Sequence, residues 1–184
     1  MKNNKKQILY AFIIVLVVSL CSIVIVSFFN KGNDEKIDLK FSGKNNFRIT
    51  NKLPISDKLG KSISENNDIK SYLEFSVENK SDKDGNFEIY VTKKDTTHNI
   101  SDNYVKFYLT DDSDVALEGF NKNKIPSYKE FNVLNNKPSS KLIYSGSISK
   151  NTKENFKLRV WISDSYALTD NLEEFSATIG VRVK

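Results

Sequence analysis

Two hydrophobic patterns divide this 184-residue chain. From Ile8 to Phe29 apolar residues run almost without interruption, whereas after residue 36 they come in short stretches that alternate with polar ones. A bilayer core needs about 20 consecutive apolar residues as a helix, so residues 8–29 are long enough to cross once. Ser19, Ser22 and Ser27 inside the run can bond back to the helix backbone, and no charge has to be buried. Lys2, Lys5 and Lys6 are the charges that precede it, so the positive-inside rule predicts a cytoplasmic tail at 1–7, a transmembrane anchor at 8–29 and export of everything beyond. A cleaved signal peptide fits less well: its apolar stretch is about 7–15 residues, and Phe28-Phe29-Asn30 is a poor cleavage site. A lipoprotein signal at Cys21 would want a small residue where Leu20 stands, and a buried helix of a soluble protein would be amphipathic.

The second pattern predicts the fold of the remainder. Residues 30–36 are polar and suit a short linker; residues 37–184 are the length of one ordinary domain. Leu73, Phe75 and Val77 alternate with Tyr72, Glu74 and Ser76, and Phe87, Ile89 and Val91 alternate with Glu88, Tyr90 and Thr92. This is the period of a half-buried strand. Turn residues ending in Asp84-Gly85 lie between the two runs and predict that they form a hairpin. Val105, Phe107 and Leu109 make a further set, as do Leu142, Tyr144 and Ile148. The clearest strands are the last two, one carrying Phe156, Leu158, Val160 and Ile162, the other Phe175, Ala177, Ile179, Val181 and Val183. Weaker strands cover 37–41 and 47–49. Seven to nine short strands with no long helical period predict an all-β, antiparallel immunoglobulin-like or jelly-roll sandwich.

Charge adds topology rather than a binding class. Of the 28 Lys and Arg, three precede the span, leaving 25 against 23 acidic residues in the exported part. These charges are interspersed, which argues against nucleic acid as a partner. The single Cys lies within the apolar run, so no disulfide can form inside the exported domain. That absence, with Lys far outnumbering Arg and Asn abundant, associates the chain with A+T-rich Gram-positive bacteria.

Candidate chemistry is sparse. His98, the sole histidine, sits in a turn-like stretch, and there is no Gly-x-Ser-x-Gly elbow. The expectation is therefore a non-enzymatic protein without catalytic residues, metal site or cofactor. Asp111-Asp112-Ser113-Asp114 reads as an Asx-rich turn in preference to a calcium loop. Asn79-Lys80-Ser81 and Asn99-Ile100-Ser101 match the glycosylation sequon by chance. The one unusual pattern is aromatic: Tyr72, Tyr90, Tyr108 and Trp161 occupy outward positions of four strands. On neighbouring strands they would make a contact band for a protein or, alternatively, a glycan or peptidoglycan. The competing reading is cross-strand pairing or cover by the long 111–139 connection. Ile37, Leu39 and Phe41 mark a weak strand next to the linker that could add to a neighbour's sheet edge.

Leu53-Pro54-Ile55-Ser56-Asp57-Lys58-Leu59, followed by the alternating segment from Leu73 to Val77 and by Asn79 at a turn, resembles the layout of camelysin and TasA-like surface proteins of Gram-positive bacteria. The last two strands look like the final strand pair of related membrane-anchored proteins. The resemblance implies a surface β-sandwich, and in the TasA branch secretion after signal cleavage and assembly into matrix fibres by strand exchange. This chain departs from that branch by keeping a stop-transfer anchor. The expectation from all of this is a cell-envelope protein of the plasma membrane, its N-terminus cytoplasmic and its β-sandwich outside, that binds a protein partner or itself.

Overall fold

The structure, a computed structural model, describes residues 37–65, 71–121 and 123–184. The expected anchor, its basic flank and the linker lie outside these residues. Among the described residues, no helix is long and apolar enough to cross a membrane.

The described residues form nine strands, in chain order β1 (Leu39–Gly43), β2 (Asn46–Thr50), β3 (Tyr72–Asn79), β4 (Gly85–Lys94), β5 (Val105–Asp111), β6 (Asn132–Leu134), β7 (Lys137–Ile148), β8 (Lys153–Ile162) and β9 (Glu174–Val183). A five-residue helix, α1 (Asp57–Lys61), and a 3-10 turn at Tyr128–Glu130 interrupt the β architecture. The strands make two antiparallel sheets, one in the order β1-β3-β8-β5 and the other β2-β9-β4-β7-β6.

The alternating residues of both sheets fill one core. Leu73, Phe75 and Val77 of β3, Phe107 of β5 and Phe156, Leu158 and Val160 of β8 meet Phe47 of β2, Phe87 and Ile89 of β4 and Phe175 of β9. Rings bridge the sheets: Phe47 meets Phe107 at 6.1 Å, and Phe87 meets Phe156 at 5.9 Å. Tyr128 from the 3-10 turn closes one side, its hydroxyl donating to Ser139 O at 2.6 Å. Fully burying each such aromatic contributes about 2–3 kcal/mol, so the phenylalanines dominate cohesion between the layers.

The expected hairpin between β3 and β4 does not form. β3 pairs with β1 and β8, whereas β4 pairs with β7 and β9 in the other sheet, so residues 80–84 are an arch from one layer to the next. Asn79 builds it. Its side-chain amide donates to Lys83 O at 2.8 Å, Ser149 O at 3.3 Å and Ile148 O at 3.4 Å, and its Oδ1 accepts from the main-chain N–H and hydroxyl of Ser81. Asp84 caps the neighbouring turn by accepting from Lys150 N. Gly85 is needed for close approach, because a Cβ there would stand 2.7 Å from Ile37 Cγ2.

β7 also departs from simple alternation. The register against β4 shifts between Ile89, opposite Tyr144, and Tyr90, opposite Leu142, which leaves Ile143 as an extra residue. Ile143 and Ile148 are buried in the core, Tyr144 packs against it half-buried, and the expected inward Leu142 is displaced. A bulge adds one residue to one strand and resets the phase beyond it.

Candidate functional site

Among the described residues, β1 is paired on one side only, with β3. Lys80 N donates to Asp38 O at 2.9 Å, and the alternation of an antiparallel ladder then makes Lys40/Glu78 and Ser42/Ser76 the hydrogen-bonded pairs. The main-chain groups of Leu39, Phe41 and Gly43 consequently face the open side. Their side chains hold the strand down: Leu39 and Phe41 are half-buried against the core, and Phe41 stacks on Phe75 with centroids 5.3 Å apart. Ile37 lies just before the strand, against Gly85. Gly43 ends it with a φ of 128°, where a Cβ would meet Glu74 O at 2.6 Å.

The remaining edges differ. β5 is covered, since Phe107 N donates to Pro126 O at 3.1 Å and Leu117 N to Leu109 O at 3.1 Å. β6 has three residues and a register shift. β2 presents Arg48, which pairs with Glu174 of β9; a charge on an edge strand discourages pairing with another chain.

The four aromatic candidates are not brought into one band. Tyr90 belongs to the other sheet and lies across Gly180 of β9, where a Cβ would meet its ring at 2.5 Å. Tyr72, Tyr108 and Trp161 do share the outer face of one sheet, with Tyr72 and Tyr108 both opposite Arg159. That face is covered. Trp161 is 2% exposed and clusters with Ile55, Ile63 and Ile125, with Tyr72 and Tyr108 packed at the margin. Ile125 comes from the connection anticipated as cover; Ile55 and Ile63 come from the segment around α1. Helix α1 starts at Ser56, whose hydroxyl accepts from Leu59 N at 3.5 Å. Its Gly60 presses on the indole so closely that a Cβ would stand 2.2 Å from Cε2.

Arg159 locks this layer in place. The residue is 6% exposed; Nε donates to Ile63 O at 2.7 Å, Nη1 to Thr110 Oγ1 at 3.1 Å and Nη2 to Asp114 Oδ1 at 2.5 Å. Its guanidinium lies over the Tyr72 ring, 5.4 Å from the centroid. Hydrogen bonds from Arg159 and Lys157 hold the Asp114 carboxyl below its usual range. Burial, followed by the hydrogen bond to Glu74, pushes the Tyr72 phenol well above its ordinary value. Neither change yields a reactive group: one stabilises a carboxylate that is already ionised, the other a phenol that is already neutral. The outward position of Trp161 signalled a second layer, but nothing in the local pattern singled out Arg159, Ile63 or Gly60 as its partners.

The acidic loop is engaged in structure. Asp111 Oδ1 accepts from Ser113 N at 3.0 Å and Val115 N at 2.8 Å, an Asx turn, and Asp114 is taken by Arg159 and Lys157. The described residues hold no group of three or more His, Cys, Asp or Glu placed for a metal. His98 is exposed, and its main-chain oxygen accepts from Glu174 N at 2.8 Å. Asn79, in the first sequon, is 1% exposed and its amide nitrogen faces three carbonyls, leaving no room for a glycan.

No protein-family model matches the chain, and neither a curated protein nor a solved structure matches it.

Proposed function

We propose that this protein is a non-enzymatic, single-pass membrane-anchored module of a bacterial cell envelope that presents an extracytoplasmic β-sandwich, immunoglobulin-like or jelly-roll in type, for association with itself or a protein partner. The observation that carries the reading is the open side of β1, a five-residue edge strand directly after the linker. An extended segment from a second molecule can hydrogen-bond to the main chain of Leu39, Phe41 and Gly43 without disturbing the ladder to β3. The apolar run at 8–29 with its lysine flank supports the tether, and the resemblance to camelysin and TasA-like proteins supports the envelope. The glycan alternative draws less support, because its band is split between sheets and its tryptophan is buried.

The test exploits the alternation along β1. Proline has no N–H to give. Leu39→Pro removes a donor from the open side and Lys40→Pro one from the β3 ladder. Light scattering of the full-length chain in amphipol, over a concentration series, should show association that Leu39→Pro abolishes while the far-UV spectrum is retained. Lys40→Pro should instead lower stability. A strict monomer at every concentration would refute self-association, and Leu39→Pro associating like the parent would refute the edge as its site.

A further inference from the structure

The open side of β1 is complementary to itself. Leu39, Phe41 and Gly43 present their main-chain groups away from β3, and in an antiparallel pair only residues that both present these groups exchange hydrogen bonds. Two copies of β1 meet that condition when Phe41 of one lies opposite Phe41 of the other, on a two-fold axis perpendicular to the sheet. Leu39 then faces the partner's Gly43, and each such pair exchanges an N–H···O bond in both directions. Among the described residues no other edge offers a match, since β5 is covered, β6 is short and β2 presents the charge of Arg48.

Charge selects the register. Asp38 stands before the strand and Lys44 after it; both are exposed and, among the described residues, neither holds an ion pair. The antiparallel arrangement brings Asp38 beside the partner's Lys44, and the same pair recurs across the axis. Lys40 lies opposite the partner's Ser42. Sliding one copy by two residues would set Lys40 opposite the partner's Lys40 or the partner's Lys44, and like charges directly opposite are destabilising. Sliding it by one would oppose each open group to one already bonded to β3.

We infer that the occupant of the β1 edge is a second copy of this chain, bound antiparallel with Phe41 against Phe41, as a closed dimer. The inference rests on the reading of β1 as an association edge and names what it associates with. The four strands of one sheet then continue into the partner's four. Because the two-fold axis uses the same edge of both copies, no open β1 remains and assembly stops at two. Phe41 stays stacked on Phe75 in each copy, so pairing asks for no repacking of the core.

Two measurements on the full-length chain in nonionic amphipol test the register. Cys21→Ser removes the native thiol; one preparation then carries Lys40→Cys and another Ser42→Cys. Mixed in detergent before transfer and oxidised, the two should cross-link, because residues opposite each other in a non-hydrogen-bonded pair have Cα atoms about 4.5 Å apart, within disulfide reach. Each preparation alone should not, its thiols standing on a diagonal of about 7–8 Å. Asp38→Lys should weaken dimerisation about tenfold at low salt, and Lys44→Asp likewise, each turning two attractive pairs into repulsive ones. The double variant Asp38→Lys/Lys44→Asp should restore it, and about 1 M salt should erase the differences. Leu39→Pro separates this inference from the reading beneath it. If that variant abolishes association while the cysteine chains cross-link as readily alone as mixed, or while the double charge variant is no better than the single ones, the edge stands and the two-fold register is overturned. Assemblies larger than two that depend on β1 overturn it as well. A parent chain monomeric at every concentration overturns both the register and self-association.

Discussion

Replacing Arg159 with methionine separates two accounts of what holds the outer layer. In one, the ion pair with Asp114 is the fastening; in the other, it is the bonds to Ile63 O and Thr110 Oγ1. The Asp114 side chain is 56% exposed, so solvent screening reduces that pair to about 0.2–1 kcal/mol. The bonds to Ile63 O and Thr110 are buried, and hydrogen bonds to a charged donor contribute about 1.5–3 kcal/mol each. Methionine restores part of the apolar contact with Tyr72, so Arg159→Met should cost about 3 kcal/mol and Asp114→Asn about 0.5–1 kcal/mol. Urea unfolding would be followed by Trp161 emission, which sees the outer layer, and by circular dichroism, which sees the sheets. In Arg159→Met the fluorescence transition should precede the dichroic one, because the layer opens before the sandwich does. Equal costs for the two variants would refute the argument, since the exposed ion pair would then carry the effect.

Gly60→Ala drives a Cβ into the indole of Trp161 at 2.2 Å, beneath a backbone with little room to move, and should destabilise by about 1–3 kcal/mol with red-shifted emission. Gly180→Ala meets only the far end of the Tyr90 ring, which can swing outward, so its melting temperature should stay close to the parent's; equal losses in the two variants would count against the close-packed outer layer. Glu130 is held at about 2 against an ordinary 4.5, first by its hydrogen bond from Lys124 and then by that from Ser127 N. A lowered carboxyl stabilises fully above its unfolded value and loses that contribution as pH falls through the folded one, so stability should drop between about pH 4.5 and 2, and Glu130→Gln should flatten part of that drop in urea midpoints. Its side chain is 42% exposed, which limits the effect to a few tenths of a kcal/mol. Asn79→Ala removes the amide that ties Lys83 O of the arch to Ile148 O and Ser149 O of the neighbouring turn. Lys83 O keeps a donor in the Ser81 hydroxyl and Ser149 O one in the Thr152 hydroxyl, so the variant should cost about 1–2 kcal/mol in chemical denaturation; a loss below about half a kcal/mol would contradict the role of Asn79 in the crossover.

Local alternation marked the strands and, for most of them, the face turned to the core: every second residue from Leu73 to Val77 and from Phe156 to Ile162 lies where the period places it. Pairing was a different matter. Asp84-Gly85 is good hairpin chemistry, yet the choice between a hairpin and an arch depends on which sheet the next strand joins, and that is decided by β1, β8, β7 and β9, distant in sequence. The bulge at Ile143 obscured the phase of β7 because a period of two cannot register an extra residue. For Trp161 the pattern said "outward" correctly, but outward from the core meant toward a second layer instead of toward water. Ile55, Ile63 and Ile125 sit alone in irregular segments, and their role appears only when the chain brings them over one indole. The open side of β1 was legible as a weak terminal strand; which of its main-chain groups are unclaimed was not, because that follows from the Asp38–Lys80 hydrogen bond.

The placement of β1 has a mechanical meaning. Any tension delivered through the chain before Ile37 first loads the bond from Lys80 N to Asp38 O and then β1, an edge strand paired on one side among the described residues. A pull directed away from the sheet would load the bonds to β3 in succession, a peeling geometry that yields at far lower force than shearing them together. The Phe41–Phe75 stack, midway along the strand, is the catch such a pull must release before reaching Gly43. Because β2 belongs to the opposite sheet, peeling can stop at residues 44–45 and leave the remaining eight strands standing. The first strand is thus a mechanical fuse, able to yield under load while the rest of the domain holds.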